Sequence, residues 1–265
     1  MSITSALFTG VSGLVNNGEA MNVIGNNIAN VNTVGFKSAR TLFSDMLSAN
    51  MGNNSQIGRG VQIQKVDNVF GQSSFETTES VTDLAIQGSN FFALGAPGAT
   101  GAQTATASYF TRAGAFRVDK DGFLTNPDGY RVLDEARTPI QFDTATFGKV
   151  TTIGADGTIK YLDNTGLQQT YATKIGVANV PDTGQMLKTG GTLYMADANT
   201  GITDASIGAP NGTSERLFSN SLELSNVDLA GQFVKMIITQ RAYSANSKTI
   251  TTTDEMTQEV LNLKR

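Results

Sequence analysis

The fold is decided by the stretch 222-LELSNVDLAGQFVKMIITQRAYSANSKTITTTDEMTQEVLNLKR-265. It contains no Pro, and its only Gly is Gly231. Apolar side chains recur at steps of three, four and seven, which places them on one face of a helix. They are Leu229, Phe233, Met236, Ile237, Tyr243, Ile250 and Leu261. Ser225 and Asp228 have capping-box spacing, so we expect a helix from this point, roughly 50 Å long.

A helix of that length exceeds the width of a domain of this size, so part of it should project. The alternative is a core helix of a globular enzyme.

A second helix is predicted near the start of the sequence. Its apolar and small residues follow strict four-three spacing, which is typical of a coiled-coil seam. They are Leu7, Val11, Leu14, Gly18, Met21, Gly25 and Ile28. Gly18 and Gly25 each lower helix stability by roughly 1 kcal/mol, a cost that is reasonable where another backbone comes close.

This first helix carries almost no charge, since Glu19 is the first charged residue and Lys37 the second. We therefore expect it to face other protein on several sides. An amphipathic helix packed on its own domain remains the alternative.

Composition excludes large classes of function. The chain has 265 residues, a net charge of −4, and no Cys, His or Trp. Without Cys or His there are no disulfides, thiol nucleophiles or zinc–thiolate sites, and the commonest general base is missing. An acidic chain with no basic patch is not expected to bind nucleic acid.

The N-terminal region does not resemble a secretory signal, because no Lys or Arg precedes Lys37 and no apolar run reaches seven residues. No window approaches the ~20 apolar residues of a membrane span. We therefore expect no membrane insertion, and a protein that is cytosolic or exported without a cleaved signal.

The connection after the first helix is predicted in pieces. Asn22, Asn26 and Asn30 lie four apart and form a carboxamide stripe, which is either solvated surface or a hydrogen-bonding ladder to a neighbouring chain. Gly35 is expected in a left-handed turn that ends the helical region. A short amphipathic helix through Leu42 and Leu47, a loop over 48–60 and extended structure over 61–75 should follow.

The central part of the sequence indicates β-structure. Short apolar or alternating segments predict strands near 84–86, 91–94, 109–112, 115–118, 150–153, 158–162, 174–180 and 192–195. The pairs Asp121-Gly122 and Asp156-Gly157 are typical of hairpin turns that need positive φ. The segment 95–107, rich in Gly, Ala and Thr, is predicted to be a loop.

The predicted fold class is therefore α+β. Long N- and C-terminal helices pair as a coiled coil, and a mainly antiparallel β domain lies between them. Three parts are expected: a terminal helical domain (1–34 with 224–265), a connector with a short helix and an extended arm (35–75), and a β-rich outer domain (76–223).

No catalytic, metal or cofactor site is predicted. Asp119 to Gly122 lacks the spacing and the closing Glu of a calcium loop. No two carboxylates are singled out as a glycosidase pair. Neither 58–60 nor 95–98 has the strand-to-helix context of a phosphate loop. The alternatives to a structural protein are a wall-cleaving hydrolase and a monomeric adhesin with a β head on a helical stalk.

Several motifs resemble those of bacterial flagellar axial proteins, the rod and hook group. They are NVIGNNIAN (22–30), TVGFK (33–37), DLAIQG (83–88), FTRAGAF (110–116), DGFL (121–124), SNVDL (225–229), QRAY (240–243) and NSK (246–248). The matches are collinear and cover most of the chain apart from about residues 136–190.

Within that group, 245–248 and the final LKR (263–265) look most like the hook protein, and the spacer 46–58 lacks the longer insertion associated with the distal rod protein. Hook proteins commonly carry a large outer domain after the segment equivalent to 129–132, and little of it is left here. The resemblance therefore implies a compact hook protein that acts as a flexible joint, with a distal rod subunit as the alternative.

The resemblance also implies how the protein works. It implies export through the flagellar type III apparatus and self-assembly into a helical tube, the homo-polymer. Rod, hook-cap and hook–filament junction proteins would be its neighbours in the flagellum. The terminal helices would pack between subunits in the inner wall, so the apolar residues of both helices and the Asn stripe are the predicted subunit-packing residues.

Overall fold

A computed structural model of the protein describes residues 3–47, 49–52, 55–104, 108–213 and 215–263. The chain divides into two compact units. The first, called the helical unit, comprises Met1–Val31, Ser38–Val69 and Val227–Arg265. The second, called the β unit, comprises Asn32–Lys37 and Phe70–Asn226. The three-part division predicted from the sequence stays a prediction.

The described part of the helical unit contains two helices and four strands. They are α1 (Ile3–Ala29), β1 (Ala39–Asp45), β2 (Ala49–Gly52), β3 (Ser55–Ile57), β4 (Val61–Asn68) and α2 (Leu229–Leu263). β1 pairs antiparallel with β4, and β2 with β3. Neither described helix is apolar enough along its length to cross a membrane.

The predicted length of the C-terminal helix is confirmed, since α2 runs for 35 residues. Its first turn is capped by Asp228 itself. The Asp228 Oδ1 atom accepts a hydrogen bond from the backbone N–H of Ala230 at 3.1 Å. Asp is as good an N-cap residue as Ser, so the helix begins three residues later than the capping-box spacing from Ser225 suggested.

The predicted short helix through Leu42 and Leu47 is wrong, because this segment holds strand β1. The predicted loop over 48–60 is also wrong, since it contains β2 and β3; Ser48, Asn53 and Asn54 lie outside the described residues. Apolar spacing alone does not separate a short helix from a strand. Here pairing with β4 satisfies the backbone groups of β1.

The β unit contains the remaining sixteen described strands. They are β5 (Phe75–Thr77), β6 (Leu84–Gln87), β7 (Phe91–Gly95), β8 (Tyr109–Thr111), β9 (Arg117–Val118), β10 (Leu124–Thr125), β11 (Arg131–Val132), β12 (Phe147–Ile153), β13 (Thr158–Asp163), β14 (Gln168–Lys174), β15 (Val177–Ala178), β16 (Leu187–Gly190), β17 (Leu193–Met195), β18 (Ile207–Gly208), β19 (Arg216–Ser219) and β20 (Ser221–Glu223). The predicted loop 95–107 lies between β7 and β8, with 105–107 outside the described residues.

These strands form one large sheet and three small ones. The large sheet has the order β16-β17-β8-β7-β11-β10-β9, with β15 also on β7 and β18 on β15. β12, β13 and β14 form a three-stranded sheet, while β19 pairs with β6 and β20 with β5. Every pairing between described strands is antiparallel. The predicted α+β class with a mainly antiparallel β part is confirmed.

The core of the β unit lies around β7, all five residues of which are buried. Successive residues of a strand point to opposite faces, so a strand buried on both faces serves two clusters. Phe92 packs edge-to-face on Phe116 in one cluster, with ring centroids 5.0 Å apart. Phe91 lies in the other, near the buried Tyr194.

Two of the predicted hairpin turns are confirmed. Gly122 and Gly157 have φ of 79° and 81°, in the left-handed region that glycine adopts at little cost. The second turn joins β12 to β13, and the chain enters it through Asp156.

Asp156 should make the stability of the β unit depend on acid pH. Hydrogen bonds from Lys174 at 2.9 Å and from the Thr158 hydroxyl at 2.8 Å lower the pKa of Asp156 from 3.8 to about 2. Because the folded-state pKa is depressed, the contribution is present above pH 3.8 and is lost as pH falls towards about 2. The pair is half-exposed, so we expect less than about 1 kcal/mol.

The measurement is the free energy of unfolding against pH for the wild type and Asp156→Asn. The difference between them should be present at about pH 5 and disappear by about pH 2. Lys174→Met removes the partner of Asp156 and should reduce the same pH dependence.

Candidate assembly surfaces

Apart from Ile24, the face of α1 that is buried within the helical unit consists of small and polar residues. Its buried positions are Gly10, Gly13, Ala20, Ile24 and Asn27. They keep the three-four spacing of a coiled-coil seam but lie one position before the predicted one. This shift leaves the larger side chains of α1 beside the contact rather than in it.

Gly10 and Gly13 allow α1 to approach α2 closely. A Cβ atom on Gly13 would lie 2.7 Å from Asn246 Nδ2, and one on Gly10 would lie 3.1 Å from Ile250 Cγ1. Within this chain no backbone comes close to Gly18 or Gly25, so the predicted approach at these two glycines stays a prediction for contacts with other copies. A Cβ on Gly18 would meet only Tyr243 at 3.9 Å, and one on Gly25 would meet nothing within 4 Å.

The two kinds of glycine give different predictions for alanine substitution. Ala is favoured over Gly in a helix by up to about 1 kcal/mol, so Gly25→Ala should raise the free energy of unfolding of the helical unit. Gly13→Ala should raise it less, because the end of the Asn246 side chain must turn away from the new Cβ atom. Thermal unfolding followed by far-ultraviolet circular dichroism measures the change in midpoint temperature for both variants. Equal shifts in the same direction would contradict the assignment.

The predicted packing residues on α2 remain largely uncovered within the chain. Leu229, Phe233, Ile237, Tyr243 and Leu261 are 38–63% exposed. Met236 and Ile250 are half-buried. The α2 residues buried within the unit are Gln232 and Thr253, both polar. The apolar side of α2 is therefore available for contacts beyond this chain.

On α1 the predicted packing residues are partly covered. Val11 is exposed, whereas Leu7, Leu14, Met21 and Ile28 are half-buried. Phe8 and Val15, which the sequence interpretation did not select, are more exposed at 69% and 54%. Exposed apolar side chains thus occur along both helices.

Several open grooves flank the helices in the described part of the helical unit, and two of them are lined in part by an Arg side chain. One, of about 320 Å³, is lined by residues that include Val23, Arg40, Phe43 and Ile238. The other, of about 510 Å³, is lined by Phe8, Val11, Met46, Arg59 and neighbouring Thr and Ser residues. Both grooves are predominantly apolar and contain no constellation of catalytic groups.

The predicted Asn stripe makes local contacts in this chain. Asn22 and Asn26 are exposed, and Asn30 Nδ2 donates to the Asn26 carbonyl oxygen at 2.8 Å. Whether the stripe contacts a neighbouring chain stays a prediction.

Two other Asn residues of α1 bind the β1–β4 hairpin. Asn16 Nδ2 donates to the Val61 carbonyl at 2.8 Å, and its Oδ1 accepts from the Ile63 N–H at 2.9 Å. Asn27 makes the same two-way contact with Ala39, at 2.7 and 2.9 Å. They lie eleven residues apart, or about three helical turns, so they share one face. The sequence interpretation did not identify them.

The β unit holds a buried group of three charged residues, here called the charged triad. Lys37 Nζ lies 2.8 Å from Glu223 Oε1, and Arg112 Nη1 lies 3.2 Å from Glu223 Oε2. All three side chains are at most 1% exposed. The triad therefore contains two buried cations and one buried carboxylate, so one positive charge has no buried anion within the triad to balance it.

Backbone groups complete the coordination of the triad. Glu223 Oε1 also accepts from the Ser73 N–H at 2.9 Å. Lys37 donates to the Gly71 carbonyl at 2.8 Å, and Arg112 to the Gly88 carbonyl at 2.6 Å. Burial lowers the pKa of both Lys37 and Arg112 in spite of the neighbouring carboxylate. Charges buried in this way need such partners, because unpaired they would cost several kcal/mol.

The triad joins segments that lie far apart in sequence. Beside it, the Gly35 N–H donates to the Glu223 carbonyl at 2.8 Å. Gly35 has φ of 67°, which confirms the predicted left-handed turn, and a Cβ there would lie 2.3 Å from the backbone nitrogen of Ala113. The chain passes between the two units at 31/32, 37/38, 69/70 and 226/227, each within a few residues of this cluster. The triad thus holds together the segments of the β unit that lie next to these passages.

Comparison with known families places each triad residue in a different matched region. Residues 7–37 match the family described as "Flagella basal body rod protein". Residues 85–161 match "Flagellar hook protein FlgE/F/G D1 domain", and 219–263 match "Flagellar basal body rod FlgEFG protein C-terminal". Lys37, Arg112 and Glu223 fall in these three regions in that order.

Relatives that align with nearly the whole chain include flagellar rod proteins. The chain is 39% identical to the flagellar basal-body rod protein FlgG of Bacillus subtilis, over 98% of this chain and 99% of that protein. It is 33% identical to the flagellar basal-body rod protein FlgG of Caulobacter vibrioides, also over 98% of this chain and 99% of that protein. The flagellar hook protein FlgE of Treponema pallidum is 43% identical, but over 48% of this chain and 28% of the hook protein. These relatives are structural proteins, not enzymes, and this chain belongs to their family, the rod and hook axial proteins of the bacterial flagellum.

Proposed function

We propose that this chain is a subunit of the distal rod, the drive shaft of the flagellar basal body. One observation carries the proposal: similarity to the FlgG rod proteins extends over nearly the whole of both chains, whereas similarity to hook proteins stops at about half of this one. If this chain were a hook protein, its similarity to hook proteins should extend over most of its length. The distal rod, the alternative in the sequence analysis, is therefore preferred to the compact hook.

Assembly would use the terminal helices. The apolar residues that α1 and α2 leave exposed would be buried against the helices of neighbouring copies. The coiled-coil pairing of the two terminal helices stays a prediction. Each large apolar side chain that becomes fully buried contributes roughly 1.5–3 kcal/mol. The Asn stripe at Asn22, Asn26 and Asn30 would lie within the same contacts. The β unit would form the outer layer of the tube.

A drive shaft needs subunits that resist distortion under torque. The charged triad supports this role, because it ties the β-unit ends of the chain crossings together through buried, charge-assisted hydrogen bonds. The neighbours of the polymer would be other rod proteins on one side and the hook on the other. Delivery would use the flagellar type III export apparatus.

The test is electron microscopy of basal bodies from a strain that lacks this protein. Loss of every structure beyond the proximal rod is the expected result. Loss of the curved hook alone, with a complete rod, would overturn the distal-rod assignment in favour of the hook. Re-expression of the unchanged chain from a plasmid is the control and should restore both structures.

A further inference from the structure

The three-stranded sheet β12-β13-β14 has two outer edges, and the edge of β14 lacks charge along most of its length. Among the described strands, none pairs with the outer side of β14, and β12 lies at the opposite edge. The β14 segment 168–173 reads QQTYAT, and its first three residues are exposed. It has no charged residue and no Pro. Charged residues and Pro normally keep an edge strand from pairing with another chain.

The end of β14 shows where the free edge stops. The Lys174 carbonyl accepts a hydrogen bond from the Glu135 N–H at 3.1 Å, so the edge is occupied there. On the other side of the sheet, the Leu217 N–H binds the Ala155 carbonyl just beyond β12. The available edges are therefore 168–173 on β14 and 147–152 on β12, and they are equal in length.

We propose that β14 of one copy pairs with β12 of the next copy, so that the small sheets of neighbouring subunits join edge to edge. A contact between two different edges can repeat without closing, as a tubular polymer requires. A contact of β14 with a second β14 would instead close into a dimer. The proposal rests on the assembly described under the proposed function and adds a contact that does not use the helices.

The geometry of the sheet fixes the direction and the register of this contact. β12 and β14 are both antiparallel to β13, so they run in the same direction. Copies related by translation along the sheet would pair β14 with β12 in parallel. Lys160 of β13 is opposite both Thr152 and Thr170. Continuing that row brings Thr152 of the next copy beside Thr170.

The absence of Cys makes disulfide trapping a clean test. Thr152 and Thr170 are both exposed, so Thr152→Cys/Thr170→Cys should fold normally. Within one chain these positions are separated by β13, a distance of about 10 Å. A disulfide cannot span more than about 7 Å between Cα atoms, so it can form only between copies.

Basal bodies isolated from a motile strain that carries the double variant would be oxidised and separated by non-reducing electrophoresis. We expect a ladder of dimers, trimers and longer species. The control pair Thr152→Cys/Gln185→Cys, in which Gln185 is exposed in the segment before β16, should give monomers. Monomers from the test pair in normally built rods would overturn the edge contact while leaving the proposed function intact. Dimers from Thr170→Cys alone, without a ladder from the pair, would also overturn it.

Discussion

Glu223→Ala should lower the free energy of unfolding of the β unit by about 3–5 kcal/mol, the largest effect on stability expected from one substitution in this chain. The change removes the only carboxylate of the charged triad and leaves Lys37 and Arg112 buried without an anion. The Ser73 N–H loses its acceptor as well. Both cations are at most 1% exposed, so water cannot replace the lost partner.

Urea unfolding followed by tyrosine fluorescence measures this effect in the right part of the molecule. The chain has no Trp, and five of its six Tyr residues lie in the β unit. The control is Asp156→Ala, which breaks an ion pair of half-exposed side chains in the same unit and should cost less than about 1 kcal/mol. A loss for Glu223→Ala no larger than that of the control would contradict the role of the triad.

Replacing the whole triad separates charge from packing. In Lys37→Met/Arg112→Met/Glu223→Leu no charge is left buried, so most of the stability lost in Glu223→Ala should return. If the triple variant were as unstable as Glu223→Ala, the defect would come from lost shape and backbone hydrogen bonds. The charge account of the triad would then be wrong.

Local patterns in the sequence were sufficient to predict much of the fold. The unbroken apolar periodicity after Asp228 predicted α2, and the Asp-Gly pairs predicted the turns at Gly122 and Gly157, because each depends on neighbouring residues alone. The segment at Leu42 was misassigned because its structure depends on β4, some twenty residues further on. A strand that is set by a distant partner has no local signature.

The helix contact shows a different limit. Large apolar residues define the most visible stripe of α1, and the sequence interpretation placed the seam on it. The contact within the chain uses Gly10 and Gly13 instead, because small residues allow the closest backbone approach. Asn16 and Asn27 were missed because an Asn that binds a strand edge has the same local context as a solvated Asn.

The charged triad was also not predicted, although all three of its residues lie within or beside motifs that were noted. Lys37 ends TVGFK, Arg112 lies in FTRAGAF, and Glu223 precedes SNVDL. Their pairing requires three segments to meet in space, and sequence spacing carries no information about that. Low charge was a partial signal, because in a chain with 16% charged residues each Lys or Glu in a motif is more noteworthy.

Phe233→Asp should abolish polymer formation while the β unit remains folded. Phe233 is 50% exposed on α2, and Val234 and Ile237 beside it are 56% and 51% exposed. In the proposed polymer this cluster is buried, so the substitution removes roughly 2 kcal/mol of apolar burial at each contact. It also brings a carboxylate into the contact without a partner, which costs at least as much again. Every copy carries the substitution, so every contact of this kind in the tube is weakened.

Negative-stain microscopy and sedimentation of the purified chain measure polymer, and tyrosine fluorescence measures the fold of the β unit. The matched control is Ser244→Asp, which adds the same charge at an exposed polar position of α2 and should leave tubes of normal length. Tubes of normal length from Phe233→Asp would contradict assembly through the apolar side of α2. Loss of polymer in both variants would show that α2 tolerates no added charge at either position. The effect of Phe233→Asp could then not be assigned to lost burial of the phenyl ring, and the argument from Phe233 would fail.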